Sequence, residues 1–327
     1  MGVESRPALD EIYSRHLPHL AGRPLPRTAI PELAKDPAAV RLIEEAVREV
    51  PTEQRLCLGD ARRLTHVPDE SVHLILTSPP YWTLKRYPDR EGQLGRLEDY
   101  DLFVEQLNAV WAECFRVLVR GGRLVVVVGD VCLSRRKHRA HMVVPLHASI
   151  QLGCRQIGFH NLAPIIWYKI ANAVFEVENG TQFLGKPYEP NAIIKNDIEY
   201  ILMQRKPGGY RRPSDAMRVL SLIGEKDHRA WFNQILDLRG ASTKAHPAPY
   251  PLELAERVIR MFSFVGDTVL DPFAGTGTTC VAAARWGRNG IGVEIEPSYL
   301  KIAAKRLAAE IAQGGLRATV TECASGT

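Results

Sequence analysis

Apolar residues recur along this chain with two periods, and their alternation lays out a series of strands and helices. Residues 72–76 are a mostly apolar run of the kind a strand covered on both faces requires, and 124–128 is an unbroken run rich in valine. Between them Tyr100, Phe103, Leu107, Val110, Trp111, Cys114 and Leu118 fall at helical spacing, which predicts a crossover helix over 98–119 stopped by Gly121-Gly122. Upstream, Asp36 as N-cap and Pro37 at the first helical position open a helix with a Val40, Ile43 and Val47 stripe, and 55–59 form a short strand. Downstream the pattern predicts a helix over 145–157, strands over 162–168 and 199–205, and a helix bearing Leu254, Val258 and Ile259. A strand over 268–270, a glycine-bearing loop, a helix over 280–286 and a strand over 290–294 follow. Strands alternating with helices imply an α/β class with a largely parallel sheet. Residues 1–35, rich in Pro, Arg and His, show little periodicity and read as an arm that wraps the domain or stays loose.

Composition narrows this only in part. The chain has 327 residues, 45% hydrophobic and 24% charged, enough for one large domain with insertions or for two. A net charge of +5 permits a nucleic-acid partner without demanding one. The six cysteines form no Cys-x-x-Cys pair and have no histidine at metal spacing, so most read as core thiols of a reducing compartment, and neither a metal site nor a disulfide framework is indicated. No run of 18 apolar residues and no signal-peptide layout occurs, so a cytoplasmic protein without a membrane partner is expected.

Two stretches carry chemistry. The 72–76 run feeds Thr77-Ser78-Pro79-Pro80-Tyr81-Trp82, where two prolines end strand pairing and leave a stiff turn at the strand's carboxyl end. Such ends are where open α/β sheets place ligands. Ser78 Oγ and the Pro79 carbonyl could accept from an exocyclic amine, and Tyr81 offers a stacking face for a planar heterocycle. A Pro-Pro loop with an aromatic plug on the core is the plainer reading, and Trp82 is equally a core anchor or a second stacking ring. Asp60, ending the 55–59 strand, could bond an adenine amino group or cap the next helix.

The second stretch is Asp271-Pro272-Phe273-Ala274-Gly275-Thr276-Gly277-Thr278, between a strand and a helix, with Glu294 ending the following strand. Glycines let backbone approach a nucleotide-like ligand, and Glu294 stands where a carboxylate can accept both ribose hydroxyls. The third glycine of a dinucleotide site is missing, and Asp271 would repel a pyrophosphate but welcome a sulfonium or ammonium, which disfavours a nicotinamide oxidoreductase. The implied ligand is S-adenosylmethionine.

With Ser-Pro-Pro-Tyr at 78–81, Asp-Pro-Phe-x-Gly-x-Gly-Thr-Thr at 271–279 and His246-Pro247-Ala248 ahead of a helix, the chain resembles the β-group amino DNA methyltransferases over roughly 55–312. The resemblance implies a permuted Rossmann-like fold with a mixed seven-stranded sheet and an inserted target-recognition region. It also implies a catalytic turn at Ser78, Pro79, Pro80 and Tyr81, and cofactor contacts from Asp60, His246, Pro247, Asp271, Pro272, Phe273, Gly275, Gly277, Thr278 and Glu294. In the family a serine at the place of Ser78 usually accompanies cytosine N4 methylation of a flipped base, while Asp or Asn usually accompanies adenine N6; adenine is the runner-up.

The expected layout is an arm over 1–35, a catalytic part over 36–206, a target-recognition region over 207–240 aided by 131–141 and 170–198, a cofactor part over 241–315, and a tail over 316–327. Double-stranded DNA is the expected partner, touched by Arg135, Arg136, Lys137 and Arg139 and by Arg211 and Arg212. Basic runs are more often solvated loops. A homodimer and a companion restriction endonuclease are compatible with this reading. RNA or protein-glutamine methyltransferases share the cofactor loop, and a non-catalytic DNA-binding protein could keep the scaffold.

Overall fold

A computed structural model of the chain describes residues 5–324 apart from 23, 85–86, 134–141, 170–189, 191–196 and 241–249. The N-terminal segment is not a loose arm. It forms α1 (Ser5–His16) and α2 (Ala29–Lys35), and Leu9, Ile12, Tyr13 and Leu17 bury one face of α1. Their spacing is helical, so the signal was present but masked by the surrounding prolines. Next come α3 (Pro37–Arg48), capped by the Asp36 side chain on Ala38 N at 2.8 Å, β1 (Thr52–Leu58) and β2 (Val72–Thr77). Every residue of β2 is buried, as a mostly apolar run predicts, and His73 and Thr77 are buried with it.

The crossover helix α4 (Tyr100–Val117) passes directly into β3 (Leu118–Val128). Gly121-Gly122 therefore does not stop the helix. It sits in an irregularity of β3, where the register against β2 jumps between Val72–Leu118 and Leu74–Arg123. Gly121 has φ +78°, and a Cβ there would lie 2.5 Å from the Gly209 carbonyl oxygen. β4 (Val131–Leu133) and β5 (Met142–Val144) form a small hairpin before α5 (Leu146–Ile157). The strand expected over 162–168 is shorter, β7 (Ile165–Tyr168), preceded by the two-residue β6 (His160–Asn161), and β8 (Ile198–Arg205) follows.

Residues 207–240 hold α6 (Asp215–Leu220), α7 (Glu225–Trp231) and β9 (Ile235–Asp237). They do not stand apart as a module, because Met217, Val219 and Leu220 of α6 share a core cluster with α1 and α3. The chain closes with α8 (Leu252–Phe262), β10 (Thr268–Asp271), α9 (Thr278–Arg285), β11 (Asn289–Glu294), α10 (Pro297–Gly314) and β12 (Ala318–Ala324). The 316–327 tail thus supplies a strand. Cys57 of β1 and Cys323 of β12, opposite each other in register, are joined by a disulfide, a cross-link that the cysteine spacing does not indicate. Of the other cysteines, Cys114, Cys154 and Cys280 are buried and free.

The main sheet has ten strands in the order β12-β1-β11-β10-β2-β3-β8-β7-β9, with β6 also on β8. Its inner seven, from β1 to β7, are the expected mixed set, and β8 runs against its neighbours β3 and β7. β12, β9 and β6 are additional, bound through pairings that no local pattern announces. The chain reaches β11 from β10 and β3 from β2, in opposite directions along the sheet, so the carboxyl ends of β10 and β2 flank a topological switch point. Among the described residues no helix is long and apolar enough to cross a membrane, and no cluster of three metal-ligating side chains occurs.

Candidate active site

The two motif loops meet at that switch point. Thr77 Oγ1, the last residue of β2, donates to Asp271 Oδ1, the last of β10, at 2.7 Å. Asp271 also accepts from Thr279 Oγ1 at 2.6 Å, Tyr250 OH at 3.0 Å and Phe273 N at 3.0 Å, and it is 1% exposed. Burial pushes its carboxyl up, while these donors pull it back. All its lone-pair directions are engaged. Asp271 therefore ties β2, β10, α9 and the residue ahead of α8 together, and is not free to hold a ligand's cation directly. The sequence alone assigns Thr77, Tyr250 and Thr279 no role, because nothing in their spacing shows that they share one partner.

Glu294 behaves differently. Its Oε2 accepts from Gly275 N at 2.7 Å and its Oε1 from Glu296 N at 2.9 Å. It has no cationic partner among the described residues, and burial raises its pKa to about 7. A buried carboxylate so placed is an acceptor suited to neutral donors such as a pair of hydroxyls. Gly275 and Gly277 have φ of +51° and +80°. A Cβ on Gly277 would lie 2.8 Å from Ala303 Cβ, so the loop can pack against α10 only with glycine there. Arg306 of α10 clamps the same loop through the Thr276 carbonyl at 2.7 Å and Thr278 Oγ1 at 3.4 Å.

A cavity of about 40 Å³ gathers Asp60, Ser78, Pro80, Pro272, Phe273 and Glu294. Tyr87, Gly92, Gln93 and Leu94, from the connection between β2 and α4, also line it. Small-molecule sites run to roughly 300 Å³ or more, so the cleft as it stands is narrower than a nucleoside-sized ligand needs. Asp60 reaches the cavity already engaged: Arg62 Nε donates to both its oxygens at 3.0 Å, and although burial raises its pKa, this guanidinium outweighs it and holds the carboxyl low.

On the β3 side, Ser78 Oγ donates to Tyr81 OH at 3.2 Å, and Tyr81 OH donates to Glu199 Oε2 at 3.1 Å, with the Val127 carbonyl an alternative acceptor at 3.3 Å. The Tyr81 ring is only 6% exposed and lies beside Gly129, so it does not present an open face as expected for a stacking ring. Burial, reinforced by the Glu199 charge, raises its pKa well above the usual phenol value and keeps it protonated. Glu199 is ion-paired with Lys169. Beside them His147 Nδ1 meets Asp130 Oδ1 at 2.6 Å and stacks on Tyr200 at 4.0 Å between centroids. Trp82, with φ +47°, packs edge-on against Tyr100 at 5.2 Å. That favours its reading as an anchor.

Not every expected residue is brought here. Arg211 lies at the opposite, amino edge of the sheet, paired with the buried Asp267 at 2.6 Å, and Arg212 neighbours it there. Arg135, Arg136, Lys137, Arg139, His246 and Pro247 lie outside the described residues.

The model of the N6 and N4 methyltransferases, described as DNA methylase, matches residues 72–305, a span that includes both loops. This chain belongs to that DNA methylase family. A type II methyltransferase of Methanocaldococcus jannaschii, M.MjaI, is 35% identical, covering 79% of this chain and 92% of its own. The DNA adenine methyltransferase YhdJ of Escherichia coli is 30% identical, covering 76% and 81%. Among solved structures, TTHA0409 of Thermus thermophilus, a candidate DNA modification methylase complexed with S-adenosyl-L-methionine, is 51% identical with a TM-score of 0.69, covering 84% of this chain and 99% of that one.

Proposed function

We propose that this DNA methylase, which uses S-adenosylmethionine, methylates the exocyclic N4 amine of a cytosine flipped out of duplex DNA. The observation that carries the choice of an exocyclic amine is the direction of the hydrogen bonds at Ser78, and serine rather than Asp or Asn at that place supports cytosine over adenine. Its hydroxyl proton is committed to Tyr81, and the Tyr81 proton to Glu199, which leaves the Ser78 lone pairs free to accept from an amine. The Pro79 carbonyl, with no N–H from Pro80 to compete, is the second acceptor. Two acceptors on one amine pull the nitrogen towards a tetrahedral shape and localise its lone pair.

The bound cofactor supplies an electrophilic methyl on a sulfonium. As the nitrogen–carbon bond forms and the sulfur–carbon bond breaks, the amine becomes cationic and must lose one proton. Ser78 accepts that proton while passing its own to Tyr81, and Tyr81 passes its own to the Glu199 carboxylate. Cysteine chemistry is not needed. Flipping is required because the amine cannot reach a strand-end turn from inside the base stack.

We place the DNA on this same carboxyl edge, where Leu133 and Met142 flank the basic stretch 134–141. A companion endonuclease belongs to the same proposal, since M.MjaI carries a type II name. Adenine N6 is the second reading, favoured by the likeness to the adenine enzyme YhdJ. Methylation of mixed-sequence duplex DNA with labelled cofactor, followed by nucleoside digestion and mass analysis, separates them. N4-methylcytosine is the expected product, and N6-methyladenine alone would overturn the base assignment.

Glu294 makes cofactor affinity depend on pH. Ribose hydroxyls need the ionised carboxylate as acceptor, and its pKa of about 7 leaves it protonated in more acidic solution. Affinity measured by titration calorimetry is expected to level off above pH 7 and to fall towards tenfold per unit below it. Stability of the ligand-free protein runs the other way. The folded state holds this proton up to about pH 7 whereas the unfolded carboxyl releases it near 4.5, so stability declines as pH rises between those values. An affinity flat from pH 5.5 to 8 would remove Glu294 from the cofactor site.

A further inference from the structure

The basic and aromatic side chains of 207–240 do converge on a cavity, but at the amino edge of the sheet. It holds about 910 Å³, within the range of small-molecule sites, and lies one strand length from Ser78, roughly 17 Å along β3 at ~3.4 Å per residue. Five arginines besides Arg123 line it, and four of these have carboxylate partners: Arg211 on Asp267, Arg218 on Asp215, Arg229 on Glu225 and Arg260 on Glu44.

Arg123 and Arg205 are different. They stand directly opposite each other across the β3–β8 pairing, and neither has a carboxylate partner among the described residues. Like charges opposed in a sheet destabilise it. Burial, and then the Arg205 charge, depresses the Arg123 pKa. The Arg123 guanidinium stacks on Phe262 at 4.7 Å and makes no hydrogen bond with any described residue. That of Arg205 stacks on Tyr210 at 4.4 Å and reaches only the Gly208 and Gly209 carbonyls, at 3.3 and 3.5 Å. Two planar forks held by aromatic faces, with donors to spare, match phosphate oxygens. Tyr210 is 85% exposed, so one ring face remains open for a base. On the same wall Asp267 is buried beneath its Arg211 partner. Glycines at 121 and 122 keep that wall low.

We propose that this cavity is a second nucleotide site, binding a nucleoside phosphate with its phosphate between Arg123 and Arg205 and its base on Tyr210. A free nucleotide and a nucleotide within a single strand share this chemistry. Titration calorimetry with ADP, and separately with a hexathymidine single strand, tests the site while saturating S-adenosylmethionine keeps the other cleft filled. Binding of one of them is expected, and which one identifies the source.

Arg123→Gln should weaken that binding at least tenfold, and Tyr210→Ser several-fold. Cofactor affinity should not change. Because Arg123→Gln removes a like-charge opposition, its melting temperature should equal or exceed that of the wild type, so a fold defect cannot mimic the loss. No binding of either probe to the wild type, or unchanged binding by folded Arg123→Gln, would overturn the proposal. Neither result bears on the N4 reading, which rests on the other edge of the sheet.

Discussion

Asp271→Ala is expected to destabilise the protein by about 3 kcal/mol, because it strips the common acceptor from several buried donors. Thr77, Tyr250, Thr279 and the Phe273 amide would lose their shared partner. The two hydroxyls nearest each other, Tyr250 and Thr279, can pair, so the loss is smaller than the sum of separate orphaned groups. Urea denaturation of the ligand-free protein measures it. If Asp271→Ala unfolds at the wild-type midpoint yet no longer binds S-adenosylmethionine, the residue is a ligand contact and its bracing role is wrong.

Ser78→Ala should lower the single-turnover rate of methyl transfer by roughly 10²-fold, the scale of removing one polar partner from a preorganised site. Cofactor affinity should stay within twofold of the wild type, since Ser78 only borders the cofactor cleft. Tyr81→Phe keeps the Ser78 acceptor but cuts the route to Glu199. Its rate should therefore fall less, and should depend on added buffer that can take the proton. A loss below about tenfold for Ser78→Ala would mean that the amine has another acceptor.

The parts of the fold that the sequence displays are those set by local pattern. The mostly apolar 72–76 run is β2, Asp36-Pro37 is the start of α3, and the glycine-bearing loop between β10 and α9 is a ligand-edge turn. The juxtaposition of the two loops follows from strand order, which chain direction at each crossover determines. What the pattern does not carry is the identity of distant partners. Asp271 looks like a free anion in sequence and is saturated in space, because Thr77 and Tyr250 come from other elements. Glu199 reads as the start of a strand, and only the antiparallel β3–β8 pairing brings it under Tyr81. Arg211 shows the converse. Its basic, aromatic neighbourhood suggests a polynucleotide surface, but the direction of β10 puts its partner Asp267 at the far end of the sheet. Edge strands such as β12 escape notice because an edge needs only one apolar face.

The permuted order has a consequence for the nascent chain. Thr77 and Asp271 touch across adjacent strands but are separated by 194 residues. At a synthesis rate of roughly 5 to 20 residues per second, β2 waits about 10 to 40 seconds on the ribosome before β10 exists. Throughout that interval one backbone edge of a mostly apolar strand has no neighbour, a ready template for pairing with other chains. A polypeptide released before residue 268 keeps that edge permanently. Such fragments should accumulate as aggregates, and the full chain should gain more soluble yield from slowed synthesis or a holding chaperone than a methyltransferase of unpermuted order and equal length.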